Sequence, residues 1–330
     1  MKYFLIAGEA SGDLHGARLI AELRKCDPEA ELRFFGGDLM KNQGGQLLKH
    51  YRDMAFMGII PVLLNMRKVL DNFSLCKKEI SRFQPDVLIL IDYPGFNLRM
   101  ARYAKKNGIK TAYYISPKIW AWKTKRVKKV KKYVDHMFTI FPFETSFYEK
   151  YQYPVTYVGN PVYDIIHETL EKPSDFEQFC KSNQLSGKPI VALLAGSRKH
   201  EIKSLLPVME KVSGLFTDYQ FVIAGAPSID AEFYLSNMES RLPIVFNQTY
   251  ELLRHSKSAI VTSGTATLET ALLKIPQVVV YIMGFGRVLE LFRNQILKTR
   301  FFSLVNLVAE KEVVKELFQS EVTVSNLKEE

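Results

Sequence analysis

Apolar residues arrive along this chain in short unbroken runs. Each run is followed by a glycine-rich or small-residue turn and then by apolar positions at helical spacing. YFLIA at 3–7 predicts a first strand, GEASGDLHG at 8–16 a turn, and the pattern after it a helix to about residue 25. Runs at 32–36, 86–91, 110–115 and 136–140 predict further strands, with a helical stretch around 69–83. DVLILI at 86–91 is apolar at nearly every position, the mark of a central parallel strand covered on both faces. After the turn-rich VGNP at 158–161 the alternation restarts, with strands predicted at 189–194, 220–224, 244–246, 259–261 and 277–281. The order predicts an α/β protein of two Rossmann-like, doubly wound domains facing a cleft, spanning 1–163 and 164–330.

A length of 330 residues fits two domains, and 47% hydrophobic with 12% aromatic residues fits well-filled interiors. Three cysteines, Cys26, Cys76 and Cys180, form no CxxC pattern and point to a reducing cytosol. The longest nearly uncharged apolar stretch, 54–64, is too short to span a bilayer and contains Pro61. The apolar start runs at once into a turn and a helix, so it reads as a strand and not as a signal peptide. The expected protein is cytoplasmic, soluble or attached to a membrane surface.

Net charge is +10, much of it in KTKRVKKVKK at 123–132. A solvated helix face, an anionic membrane surface and nucleic acid are the three readings of that run. Without zinc-finger spacing, an RNP motif or a helix-turn-helix, nucleic acid is not expected as a partner. Basic residues are also threaded through apolar ones at 61–70 and 285–302, which suits either a surface meeting anionic lipid or buried helices with snorkelling cations.

The candidate chemistry lies at the turns. Ala195-Gly196-Ser197-Arg198 and Ser263-Gly264-Thr265 both follow apolar runs and precede helices, so unpaired N–H groups at each would attract phosphate, with Arg198 adding a forked cation. Gly8, Gly12 and Gly16 match neither GxGxxG nor a P-loop; they serve close helix packing or close approach to a ligand. Glu9 and Asp13 make that loop acidic, which suits sugar hydroxyls better than phosphate. Asp92 follows the apolar strand and reads either as the N-cap of a helix opening near Pro94 or as a general base with a raised pKa. Trp120 and Trp122, the only tryptophans, read either as core or as lining of an acceptor or interfacial site. No DxD, HExxH or GxSxG is present, so no metal or cofactor is expected.

These segments together resemble the lipid-A-disaccharide synthase family, inverting glycosyltransferases of Gram-negative bacteria. The resemblance rests on GEASGD at 8–13 with Gly16, MGI at 57–59, PDVLILIDYPGFN at 85–97 and SPKIWAW at 116–122. It continues in KRV at 125–127, FPFE at 141–144, YVGNP at 157–161, GSRKHEI at 196–202, SGTATLE at 263–269 and NLVAEKEVVKELFQ at 306–319. It implies a GT-B fold and metal-independent transfer from UDP-2,3-diacylglucosamine to 2,3-diacylglucosamine 1-phosphate, at the inner face of the inner membrane. It further implies Asp92 as catalytic base and Glu9 as an essential acidic residue. Gly196, Ser197, Arg198, Ser263, Gly264, Thr265, Glu269 and Asn306 become donor contacts. Ser11, Asp13, Met57, Asn97, Trp120 and Trp122 fall on the acceptor and lipid side. The segments at 57–70 and 285–302 and the basic run become lipid-facing, and a homodimer is compatible with the pattern.

Three residues depart from the family: Ala195 where proline is common, Pro61 in place of a frequent glutamate, and Glu310 where glycine is preferred, close enough in sequence to Asn306 to crowd a nucleotide. The family also continues beyond this C-terminus, so a shortened chain is expected. A non-hydrolysing UDP-sugar epimerase and an inactive lipid- or nucleotide-binding protein are the alternatives.

Overall fold

Among the described residues, seven parallel strands form the sheet of the first unit, Met1–Pro161: β1 (Lys2–Ala7), β2 (Glu31–Gly36), β3 (Gln46–His50), β4 (Val87–Ile91), β5 (Lys110–Tyr114), β6 (His136–Thr139) and β7 (Thr156–Tyr157). This computed structural model describes residues 1–54, 66–122, 124–282 and 301–330. The strands lie in the order β3-β2-β1-β4-β5-β6-β7. The second unit, Val162–Glu330, holds β8 (Ile190–Leu194), β9 (Gln220–Gly225), β10 (Ile244–Phe246), β11 (Ser256–Thr262), β12 (Gln277–Tyr281) and β13 (Lys315–Phe318). Its order is β10-β9-β8-β11-β12-β13, again all parallel. Both sheets therefore reverse their winding once, between β1 and β4 and between β8 and β11. Ligands of open α/β sheets sit outside the carboxyl ends of the strands at such a reversal.

Successive side chains of a strand point to opposite faces, and here both faces are covered. In β8, Val191 and Leu193 join Ile202, Leu205 and Met209 of the helix Lys199–Ser213. Ile190, Ala192 and Leu194 join Leu252 and Leu253 on the other face. In the first unit Phe4, Ile6, Leu88 and Leu90 meet the helices Met66–Phe83, Pro94–Lys106 and Val127–Tyr133.

The first helix, Ala10–Cys26, lies close on its sheet. A Cβ at Gly12 would stand 3.2 Å from that of Ala7, and one at Gly16 would stand 2.7 Å from the Met40 sulfur. Those two glycines serve packing. Asp13 serves the fold as well. Its buried carboxylate accepts from the backbone N–H groups of Gly37 (2.7 Å), Leu39 (3.1 Å) and Met40 (3.1 Å) at the start of the helix Asp38–Asn42. This corrects its placement on the acceptor side.

Among the described residues no helix is long and apolar enough to cross a membrane. In the basic run, the helix Val127–Tyr133 buries Val127 and Val130 and turns Lys128, Lys129, Lys131 and Lys132 outward. The segments at 55–65 and 283–300, which include Met57 and most of the amphipathic stretches, lie outside the described residues, as does Lys123.

Candidate active site

Asp92 follows β4 at the reversal of the first sheet. It does not cap a helix. The N-cap of Pro94–Lys106 is Tyr93, whose side chain makes no capping bond, so the N-cap reading of Asp92 fails. Asp92 and Tyr93 are both left-handed, with φ of 42° and 48°, a conformation that costs L-residues about 1–3 kcal/mol each. The surrounding groups enforce it. The Asp92 carbonyl accepts from the Tyr113 hydroxyl (2.6 Å) and the Asn97 amide (2.8 Å), and its N–H donates to the Tyr114 carbonyl (3.1 Å). Burial holds the half-buried Asp92 carboxyl above the usual carboxylate range, opposed by the Lys118 charge and the Tyr93 N–H.

Asn97 is fully buried and clamps this turn. Its amide nitrogen also donates to Ile91 (3.1 Å) and Ile6 (3.4 Å), tying β1, β4 and Asp92 together. Asn97 therefore holds the backbone of the Asp92 turn, and its full burial takes it off the acceptor side, a second correction; its Oδ1 has no hydrogen-bond partner among the described residues. Tyr93 lies over Gly8, where a Cβ would come within 2.2 Å of the ring, and its hydroxyl donates to the Met54 carbonyl (2.8 Å). Burial and then the nearby Glu9 carboxylate raise the Tyr93 phenol pKa. Glu9 is the N-cap residue of the first helix without a side-chain cap bond, and Ser11 is exposed in the first turn. Glu9, Ser11 and Asp92 thus stand at the carboxyl ends of neighbouring strands β1 and β4.

Trp120 belongs to the core. It packs edge-on against Phe143 (4.9 Å between centroids), and its indole N–H donates to Glu144 Oε1 (3.3 Å). Its assignment to the acceptor side is corrected; the Trp122 side chain lies outside the description. Glu144 Oε2 accepts from the N–H groups of Ile140 and Phe141, both at 3.1 Å. Burial nevertheless lifts its carboxyl to about 7. A folded pKa raised above that of the open chain favours the protonated native state, so this group's contribution to stability declines between about pH 4.5 and 7. In a Trp122→Phe background, Trp120 fluorescence is expected to titrate with a midpoint near 7. Glu144→Gln should abolish that titration; a midpoint that survives the substitution assigns it to another group.

In the second unit the turn after β8 is already filled. Glu201 Oε2 accepts from the N–H groups of Ser197 (3.1 Å) and Arg198 (3.2 Å), and Oε1 holds Arg198 Nη1 at 3.0 Å. The expected free N–H groups at 197–198 are taken by an internal carboxylate. Gly196, at φ 110°, is required because a Cβ there would meet Glu201 Oε2 at 2.5 Å. The Arg198 side chain stays 56% exposed while Glu201 is only 8% exposed, so the guanidinium is oriented from beneath and presents its outer edge.

The turn after β11 is the open one. Ser263 Oγ donates to the Phe302 carbonyl (3.0 Å), while the position above Gly264 is empty to 4 Å and Thr265 is exposed. Among the described residues no group accepts from the N–H groups of Gly264, Thr265 or Ala266 at the head of the helix Thr265–Leu272. Glu269, one turn on, accepts from the Tyr250 hydroxyl (2.9 Å), and burial raises its carboxyl. Tyr281 ends β12, and its phenol feels both Glu201 and Arg198, which draws β12 into the same corner.

Asn306 is spent inside the fold. Its amide donates to the Val314 carbonyl (2.8 Å) and Glu316 (2.9 Å), and its oxygen accepts from Val313 (2.7 Å) and Val314 (3.0 Å). It is fully buried and has no capacity left for a nucleotide, a further correction. The same loop explains the glycine preference at 310. Glu310 caps the helix Leu304–Ala309 with φ 54°, so backbone conformation selects glycine, and the Glu310 side chain is exposed.

Sequence reasoning passed over Glu201 and Glu144 as anchors. Each stands three residues after a helix N-cap, at Arg198 and Phe141, and that spacing is the signal that finds them.

A family model described as lipid-A-disaccharide synthetase matches residues 3–330. The chain belongs to this family. A lipid-A-disaccharide synthase of Coxiella burnetii (strain Dugway 5J108-111) is 36% identical over 99% of this chain and 86% of its own length. The enzyme of that name from Syntrophus aciditrophicus is 38% identical over 96% of this chain and 83% of its own length. Among solved structures, the fold resembles a UDP-GlcNAc 2-epimerase from Neisseria meningitidis bound to UDP-GlcNAc (TM-score 0.69, 13% identity, 100% of this chain and 90% of that one). It also resembles the calicheamicin glycosyltransferase CalG4 (TM-score 0.58, 13% identity, 99% and 88%). At these identities the likeness is one of fold, and the family is a glycosyltransferase family with two Rossmann-like units.

Proposed function

We propose that this chain joins UDP-2,3-diacylglucosamine to 2,3-diacylglucosamine 1-phosphate, forming the β-1,6-linked disaccharide 1-phosphate and releasing UDP. The observation that carries the reading is Asp92: in a chain of this family, a carboxylate raised by burial stands at the reversal of the sheet on a turn held from three sides. Its raised pKa suits a base that takes a proton from an alcohol. The proton of the acceptor 6-hydroxyl passes to Asp92 as that oxygen bonds to the anomeric carbon. The bond from that carbon to UDP breaks on the opposite face, and UDP leaves with the electron pair. The N–H groups at 264–266, which have no acceptor among the described residues, and the outer edge of Arg198 stabilise the leaving diphosphate, and Glu269 takes a sugar hydroxyl of the nucleotide. Glu9 and Ser11 orient the acceptor. The reaction needs no metal, and attachment to the membrane is peripheral. Exposed Met66 and Leu70 beside Arg67 and Lys68 give part of that surface.

The test is the purified protein with both acylated sugars, following UDP and disaccharide, with and without EDTA. Product formation unaffected by chelation supports the whole reading. Turnover of UDP-N-acetylglucosamine without an acylated acceptor replaces it by epimerisation. Arg198→Ala is expected to weaken UDP binding by about tenfold, the loss of one charge-assisted contact. Calorimetric titration checks this, and unchanged affinity removes Arg198 from the donor site.

A further inference from the structure

One concave site in the first unit is used by none of the roles above. Between the helices Pro94–Lys106 and Val127–Tyr133 opens a cavity of about 290 Å³, lined by Arg99, Arg102, Arg126 and Lys129 together with Gly95 and Tyr133. The spacing explains the convergence. Gly95, Arg99 and Arg102 follow one face of the first helix, and Arg126, Lys129 and Tyr133 follow one face of the second. Leu98, Val127 and Val130 sit in the shared core and hold the two helices together.

Among the described residues none of the four cations is ion-paired, whereas Arg198, Arg254 and Lys105 each have a carboxylate. Four like charges around one hollow repel one another unless an anion joins them. Arg99 is pre-set for such a partner: its guanidinium lies 5.1 Å from the centre of the Phe73 ring, which is itself stacked on Phe96 at 4.3 Å. The hollow adjoins the Asp92 turn. Gly95 lies three residues beyond Asp92, with nothing within 4 Å of where its Cβ would stand. Arg126 acts electrostatically on Tyr113, the residue whose hydroxyl holds the Asp92 carbonyl.

We propose that this cavity binds the phosphate monoester of the acceptor sugar, a specificity site for the reaction proposed above, on which the inference rests. A monoester carries close to two charges at neutral pH and three acceptor oxygens, a match for several guanidinium forks. The hexose ring then reaches from its phosphate in the cavity to its 6-hydroxyl at Asp92. The site also separates two nearly identical acylated sugars. The acceptor bears a compact monophosphate at C1, while the donor bears a nucleoside diphosphate there.

The test compares kcat/KM for the acceptor with its 1-phosphate and for the same acylated sugar with a free 1-hydroxyl. The wild-type protein is expected to prefer the phosphorylated acceptor. In the double variant Arg102→Ala/Arg126→Ala that preference is expected to shrink by about 10- to 100-fold, through KM, as charge-assisted contacts are lost. Unchanged UDP affinity and thermal midpoint show that the variant is folded. Equal losses on both acceptors, or a preference that survives, overturn the proposal. A preference that survives while sedimentation with phosphatidylglycerol vesicles is lost reassigns these cations to the membrane. If the wild-type protein uses neither acceptor, the transferase reading itself fails. If it uses both equally, only the cavity assignment fails.

Discussion

Asp92→Asn is expected to lower kcat by about 10²- to 10⁴-fold, the usual contribution of a positioned general base, while UDP affinity and thermal midpoint stay at wild-type values. Asparagine tolerates a left-handed backbone better than most residues, so the turn at φ 42° survives the exchange. Only the ability to accept a proton is removed. The pH dependence gives an independent check. Burial raises the Asp92 carboxyl, and the base works only when ionised, so wild-type kcat/KM climbs with pH through that raised value and then levels off. The residual activity of the variant should lack this limb. A variant that loses UDP binding instead places Asp92 in the nucleotide site, and one that keeps turnover rejects it as base.

Asn97→Ala is expected to act on the same centre from a distance. It leaves the carbonyls of Ile6 and Ile91 without the amide donor and removes one of two donors from that of Asp92. The cost is about 2–3 kcal/mol, read as a fall in thermal midpoint of roughly 5–10 °C. Below that midpoint kcat is also expected to fall, with the ionisation limb displaced because the Asp92 carboxylate is no longer fixed. The donor KM should not move. Loss of stability with wild-type kcat and an unshifted pH profile would make Asn97 a purely structural residue.

The fold was largely legible because buried parallel strands are apolar on both faces. DVLILI, IVALL and FVIA announce themselves as β4, β8 and β9 without help from their neighbours. The strands that escaped are β3, β7 and β13, all at sheet edges, where one side pairs with nothing and polar residues are admitted. QLLKH of β3 contains no buried residue, and both residues of β7 are exposed. Site legibility divided along another line. Asp92 could be placed because its position follows from one strand end. Asp13, Asn97 and Asn306 could not, because each satisfies backbone groups of another segment, and sequence gives no sign of such a partner. The turn at 195–198 misled for a related reason: an anion hole and a helix start stabilised by its own glutamate look alike until the glutamate is located.

Tyr93 and Gly8 also constrain how this protein can diverge. The aromatic ring occupies the volume a methyl group at position 8 would need, and the phenol is moored to the Met54 carbonyl. Alanine at 8 is tolerable only alongside a smaller residue at 93, so the two sites should drift in concert among homologues. A library varying both at once should recover active pairs that neither single change yields.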